Sequence, residues 1–81
     1  MEKAQIIKKL EEVVQEVMPD IGELDLNASI VNEYGVNSVS IIKIIVEAEK
    51  KFDVSFTDYE LALSSYDTFA DFLATIEEKL A

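Results

Sequence analysis

The chemistry in this chain centres on a serine placed where a helix begins. Gly35-Val36-Asn37-Ser38-Val39-Ser40 ends a stretch of turn-forming residues and opens a run of apolar residues at helical spacing. Asn37 is a favoured N-cap and Gly35 supplies a turn ahead of it. A hydroxyl on Ser38 stands near backbone N–H groups that have no partner inside the helix, and near the positive end of the helix dipole. A phosphate on that oxygen is stabilised by both. The position after a long loop also leaves the hydroxyl accessible to an incoming enzyme. Taken alone, the hexapeptide fits two readings: an ordinary first-turn serine, or a modification site.

Other chemistry is poorly supplied. The chain has no histidine and no cysteine. That removes Ser/His nucleophile pairs, disulfides and the usual zinc ligands, and no metal site is expected. There is no glycine-rich phosphate loop, no Gly-x-Ser-x-Gly turn and no calcium loop with the required ligand spacing. Carboxylates are plentiful, but they sit on polar helix faces or in loops and read as solvated surface.

Charge narrows the partners. Seventeen acids face seven lysines and no arginine, for a formal net charge of −10. Such a surface repels nucleic-acid phosphates and anionic membranes, and it favours basic protein partners. It also opposes self-association, so a monomer is expected. No N-terminal signal is visible, and no run of about 18 apolar residues is present. A cytoplasmic protein without membrane insertion is the expectation.

The elements that must hold Ser38 can be read from periodicity. Residues 4 to 18 predict a helix, with Ile6, Ile7, Leu10, Val13, Val14 and Val17 on one face, and Pro19 stops it. Residues 19 to 36 predict a long loop whose apolar residues, Leu24, Leu26, Ile30, Val31 and Tyr34, pack it onto the domain. Residues 38 to 51 predict a second helix. Ile44, Ile45, Ala48 and Phe52 share its core face. Val39, Ile42 and Val46 fall toward a flank and remain partly exposed, as a docking surface would. Thr57-Asp58-Tyr59-Glu60 has the form of a capping box opening a short helix, and a last helix starts near Thr68, with Asp71 closing a second box. The expected fold is all-α, a single domain over 1–81. It is a four-helix bundle with three longer helices, one short helix and a long ordered loop between the first two.

In this setting the chain resembles the acyl carrier protein family. The family attaches 4′-phosphopantetheine to a serine in an Asp-Ser-Leu type motif, preceded by Leu-Gly and one variable residue. Here the stretch from Asn27 through Tyr34-Gly35-Val36-Asn37-Ser38-Val39 aligns with it without a gap. Glu47-Ala48-Glu49-Lys50-Lys51-Phe52-Asp53-Val54 is similar to the family's Glu-rich run ending in Phe-Asp, and Asp67-Thr68-Phe69-Ala70-Asp71-Phe72-Leu73 is similar to the start of its last helix. The likeness spans nearly the whole chain. It implies a carrier rather than a catalyst. Ser38 would bear a phosphopantetheine arm, installed from coenzyme A by a phosphopantetheinyl transferase that also recognises position 37. Acyl-loading and acyl-processing enzymes would then use the arm's thiol to hold acyl groups as thioesters, in fatty-acid, polyketide or related lipid biosynthesis. The family's docking region carries over to Val39, Ile42, Lys43, Val46 and Glu47. Its sheltered acyl space carries over to Ile44, Ile45, Ala48 and Ile76, which otherwise read as plain core.

Two departures point to a specialised member. Asn37 stands where the family has aspartate; it keeps the cap and loses the charge. The second helix is also poor in acid: Ser40 and Lys43 occupy typically acidic positions, and between 39 and 51 three lysines oppose Glu47 and Glu49. Seven acids lie between 10 and 36 and seven between 52 and 78, with no lysine in either stretch. The chain shows no flanking linkers, so a discrete protein is expected. The competing function is an unmodified carrier-like interaction module that binds through the second helix whether or not Ser38 is replaced. A small enzyme is a third reading, disfavoured by the missing His and Cys.

Overall fold

The computed structural model describes residues 2–81. The described residues hold three α-helices, α1 (Lys3–Val17), α2 (Ser38–Phe52) and α3 (Phe69–Leu80), and no β-strand. A lone bridge pairs Ser29 with Thr68. The chain is therefore all-α, as its periodicity indicates.

Each helix begins where a side chain can satisfy free backbone donors. At the start of α1, the Glu2 amide donates to Gln5 Oε1 at 3.2 Å. Its apolar stripe buries Ile6, Leu10, Val13 and Val14. The helix ends just before Pro19, which has no N–H to continue it and instead opens a 3₁₀ turn over Pro19–Ile21. At α3 the Asp71 amide donates to Thr68 Oγ1 at 3.3 Å, and Asp71 Oδ2 accepts from the Thr68 amide at 3.2 Å. This is the reciprocal box expected there. Phe69, Phe72, Leu73 and Ile76 form its buried face. α1 packs against both α2 and α3.

The segment between α1 and α2 is tied to the helices along its length. Gln15 Nε2 donates to the Gly22 carbonyl at 2.8 Å, and the Leu24 amide donates to Glu11 Oε2 at 3.2 Å. The Ala70 amide donates to the Leu26 carbonyl at 2.9 Å, and the Ile30 amide to the Asp67 carbonyl at 3.0 Å. Ile30 and Val36 are fully buried. Tyr34 accepts from the Asp25 amide at 2.7 Å and sets its ring 5.6 Å from that of Phe69. Gly35 has φ +65°, with open space where a Cβ would lie. Glycine is therefore favoured by backbone conformation, not by crowding. This left-handed step delivers Val36 to the core immediately before Asn37.

The short fourth helix does not form as an α-helix. Thr57 and Glu60 do make the expected box, with the Thr57 amide donating to Glu60 Oε1 at 2.9 Å and the Glu60 amide to Thr57 Oγ1 at 3.3 Å. Beyond it the chain makes two 3₁₀ turns, Tyr59–Leu61 and Leu63–Ser65, split by Ala62 in extended conformation. Side chains capture the carbonyls that an α-helix would need. Ser65 Oγ donates to the Tyr59 carbonyl at 2.9 Å, and Tyr66 Oη donates to the Glu60 carbonyl at 2.7 Å. The exchange brings Tyr66 into the core, where its ring meets Phe72 edge-on at 5.2 Å. Burial, aided by the Glu60 charge, pushes the Tyr66 phenol up to about 12.

Glu60 also joins this segment to α3. Lys79 Nζ donates to Glu60 Oε1 at 2.8 Å and lies 4.9 Å from the centre of the Phe56 ring. The Lys79 hydrogen bond first, and the Thr57 amide second, hold the Glu60 carboxyl below its ordinary value. A carboxylate whose folded pKa is depressed stabilises the fold above its unfolded value and loses that effect as pH falls through the folded one. Glu60→Gln is therefore expected to cost about 1 kcal/mol at pH 7. Urea unfolding over a pH series should show the gap closing as pH falls through the lowered Glu60 titration.

Candidate functional site

Ser38 is the first residue of α2 and is exposed to solvent. Asn37 caps the helix for it. Asn37 Oδ1 accepts from the Val39 and Ser40 amides, both at 2.9 Å, and from Ser40 Oγ at 3.2 Å. Three donors converge on one atom, and that fixes the amide's orientation: Oδ1 faces the helix, and Nδ2 is turned away from those donors. Among the described residues the cap engages the amides of Val39 and Ser40, and leaves the Ser38 amide and hydroxyl out of it. Ser40, which the sequence marked only as standing at a typically acidic position, is thus part of the cap.

Removing the cap has a calculable effect. Asn37→Ala is expected to destabilise the protein by about 1 kcal/mol, whereas Asn37→Asp, with a carboxylate in the same place, should retain stability within about 0.5 kcal/mol. Thermal or urea unfolding of the two variants checks this.

Beyond Ser38, α2 divides cleanly. Ile41, Ile44, Ile45, Ala48 and Phe52 are buried. Ile44, Ile45, Ala48 and Ile76, the residues considered for an acyl space, are fully buried members of the core. On the opposite face Val39, Ile42 and Val46 are 62%, 46% and 39% exposed. At 100° per residue these three and Lys43 fall within about 100° of arc. An open groove is lined by Ile42, Lys43, Val46 and Glu47 of α2 and by Glu16 and Val17 of α1. The structure thus brings together four of the five expected docking residues; Val39 lies outside the groove, nearer Ser38 along the helix. Glu16 and Val17 were not anticipated, because nothing local marks the end of α1 as a neighbour of α2.

The whole of this arrangement lies inside one recognised region. Residues 8–77 match the family described as phosphopantetheine attachment site. The chain belongs to the acyl carrier protein family. A relative, the acyl carrier protein of Exiguobacterium sp., is 30% identical over 81 residues, which span 99% of this chain and 100% of that protein. Acyl carrier proteins are carriers used by other enzymes, not catalysts, and the matched region is the site of covalently attached 4′-phosphopantetheine. The residues here fit that group: an exposed hydroxyl stands at a helix N-terminus, the cap beside it is complete, and the Ser38 amide is left over for an anion. No group of His, Cys, Asp and Glu that could hold a metal occurs among the described residues, and none of their helices is long and apolar enough to cross a membrane.

Proposed function

We propose that Ser38 is the attachment residue, and that the chain is a single-domain carrier of acyl intermediates for fatty-acid, polyketide or related lipid biosynthesis. The observation that carries this reading is the exposed Ser38 hydroxyl at the start of α2, outside a cap that Asn37 and Ser40 complete between them.

Ser38 Oγ acts as the nucleophile toward the pyrophosphate of coenzyme A. A P–O bond to Ser38 forms, the P–O bond to the nucleotide phosphate breaks, and 3′,5′-ADP leaves. The serine proton passes to a base that we assign to the transferase; this chain has no histidine to take it. The product phosphodiester carries negative charge next to the α2 N-terminus, where the helix dipole and the Ser38 amide favour it. When bound, the arm supplies a terminal thiol, absent from this cysteine-free chain, to hold an acyl group as a thioester. Asn37 keeps the serine at the helix start in a fixed backbone geometry. Val39, Ile42, Lys43, Val46 and Glu47 then form the surface on which the transferase and acyl-processing enzymes dock.

The test is intact mass after incubating the purified apo protein with coenzyme A, Mg²⁺ and a broad-specificity phosphopantetheinyl transferase, followed by mapping of the modified peptide. The expected result is one phosphopantetheine on the peptide containing Ser38. If neither the wild type nor a folded Asn37→Asp variant is modified, the reading falls. The α2 face would then be the working part of an unmodified binding module.

A further inference from the structure

The groove between α1 and α2 is locally neutral in a chain that carries −10. Lys43, Lys50 and Lys51 stand there against Glu12, Glu16 and Glu47. Lys51 Nζ lies 3.2 Å from Glu16 Oε1 and 3.6 Å from Glu12 Oε2, and Lys50 Nζ lies 3.5 Å from Glu47 Oε1. The apolar lining is Val17 of α1 with Ile42 and Val46 of α2. The polar lining keeps some capacity free. Glu16 and Glu47 each hold a lysine through Oε1, so Oε2 can still accept, and Lys43 enters no ion pair among the described residues. The groove has a volume of about 530 Å³, within the range of small-molecule sites. Such a lining suits an uncharged chain that alternates amides with hydrocarbon.

The position of Ser38 says where such a chain would come from. Four residues of α-helix advance one full turn and about 40° more, so Ser38, Ile42 and Val46 stand in one slanting row. Ile42 lies roughly 6 Å and Val46 roughly 12 Å along the axis from Ser38. An extended phosphopantetheine arm is longer than this; beyond its phosphate come a carbon bearing two methyls, two amides and the terminal thiol. The row leads that arm into the groove. The other side of α2 is closed. Ile44, Ile45 and Ala48 are fully buried there, and the segment beyond is held by Tyr66 Oη on the Glu60 carbonyl at 2.7 Å and by Lys79 Nζ on Glu60 Oε1 at 2.8 Å. Entry on that side breaks hydrogen bonds, whereas entry to an open groove breaks none. Tethering adds to the difference. A group anchored at Ser38 has an effective concentration on the order of millimolar, so a site of only millimolar affinity is still substantially filled.

We propose that the α1/α2 groove is the resting site of the carrier's own unloaded arm. Its two methyls lie on Ile42, its amides pass between Lys43, Glu47 and Glu16, and its thiol end lies against Val46 and Val17. The proposal rests on Ser38 being the attachment residue.

The test compares NMR spectra of the apo protein and of the protein loaded to completion with coenzyme A and a broad-specificity phosphopantetheinyl transferase. Glu16 and Val17 are the reporters. They belong to another helix and are far from Ser38 in sequence, so only a group lying in the groove reaches them. Their shifts should move together with those of Ile42 and Val46, and nuclear Overhauser contacts should join the arm's two methyls to Ile42. A second readout uses the absence of cysteine, which makes the arm thiol the only one in the protein. That thiol should react with iodoacetamide about threefold more slowly than free pantetheine. Ile42→Ser, at a site 46% exposed and verified as folded by circular dichroism, should restore the rate of free pantetheine. Shifts confined to the first turn of α2 overturn the proposal, as does a thiol equally reactive in wild type and Ile42→Ser. Movement of Ile44, Ala48 and Ile76 in place of Glu16 and Val17 also overturns it, by putting the arm in the core. Failure of the attachment reading looks different: no mass is gained, or the arm maps to a residue other than Ser38.

Discussion

Ser38→Ala is expected to abolish the gain of phosphopantetheine completely while leaving the fold intact. The two halves of this result have separate causes. The hydroxyl is the nucleophile, and alanine has none, so the loss is all-or-none. The fold does not need the hydroxyl, because the side chain is exposed and the helix start is capped by Asn37 Oδ1 on the Val39 and Ser40 amides. Alanine is also a strong helix former, so stability should change by less than about 0.5 kcal/mol. Intact mass after transferase treatment reads the first effect, and urea unfolding reads the second. Ser40 is the natural control. Its hydroxyl is already committed to Asn37 Oδ1 at 3.2 Å, so Ser40→Ala should still accept the arm. Modification that survives in Ser38→Ala and disappears in Ser40→Ala would move the attachment site by two residues.

The second large effect is on stability. Phe72→Ala should cost about 3–5 kcal/mol, against a total of roughly 4–12 kcal/mol for a domain of this length. Phe72 is fully buried on α3, and its ring lies 5.5 Å from Phe56 and 5.2 Å from Tyr66. It ties α3 to the segment between α2 and α3, through Phe56 before the two 3₁₀ turns and Tyr66 after them. Removing the ring leaves a cavity and strips both neighbours of their aromatic partner. A fall in urea midpoint should report it, with a near-wild-type slope if unfolding stays two-state. Tyr59→Ala is the contrast: the ring is 82% exposed, and its loss should shift stability by less than about 0.5 kcal/mol. A Phe72→Ala variant as stable as Tyr59→Ala would mean that this aromatic cluster does not hold the segment.

Much of this molecule could be read without its coordinates, and the reason is locality. The three helices declare themselves through apolar spacing and through caps that act over two or three residues. Asn37 on Val39 and Ser40, and Thr68 with Asp71, are bonds between near neighbours, so the residues that make them are visible together in the chain. The candidate site was legible for the same reason. Ser38 is defined by what immediately precedes and follows it, and the exposed flank of α2 follows from helical geometry once the buried face is known.

Tertiary structure decided what depends on residues distant in sequence or on competition for a carbonyl. The segment after Thr57 carries a correct start signal, yet Ser65 Oγ and Tyr66 Oη take the Tyr59 and Glu60 carbonyls and stop an α-helix from propagating. A capping signal states where a helix can begin; it does not state whether a side chain several residues on will claim the next acceptor. The groove is likewise a product of packing. Glu16 and Val17 reach α2 only because α1 lies against it, and Lys51 meets Glu16 across 35 residues of sequence. The chain by itself determined the helices, their caps and the exposed serine, through bonds closed within a single turn. Which acids of α1 meet the lysine at the end of α2 was left to the folded protein, because that pairing depends on how separate helices are brought together.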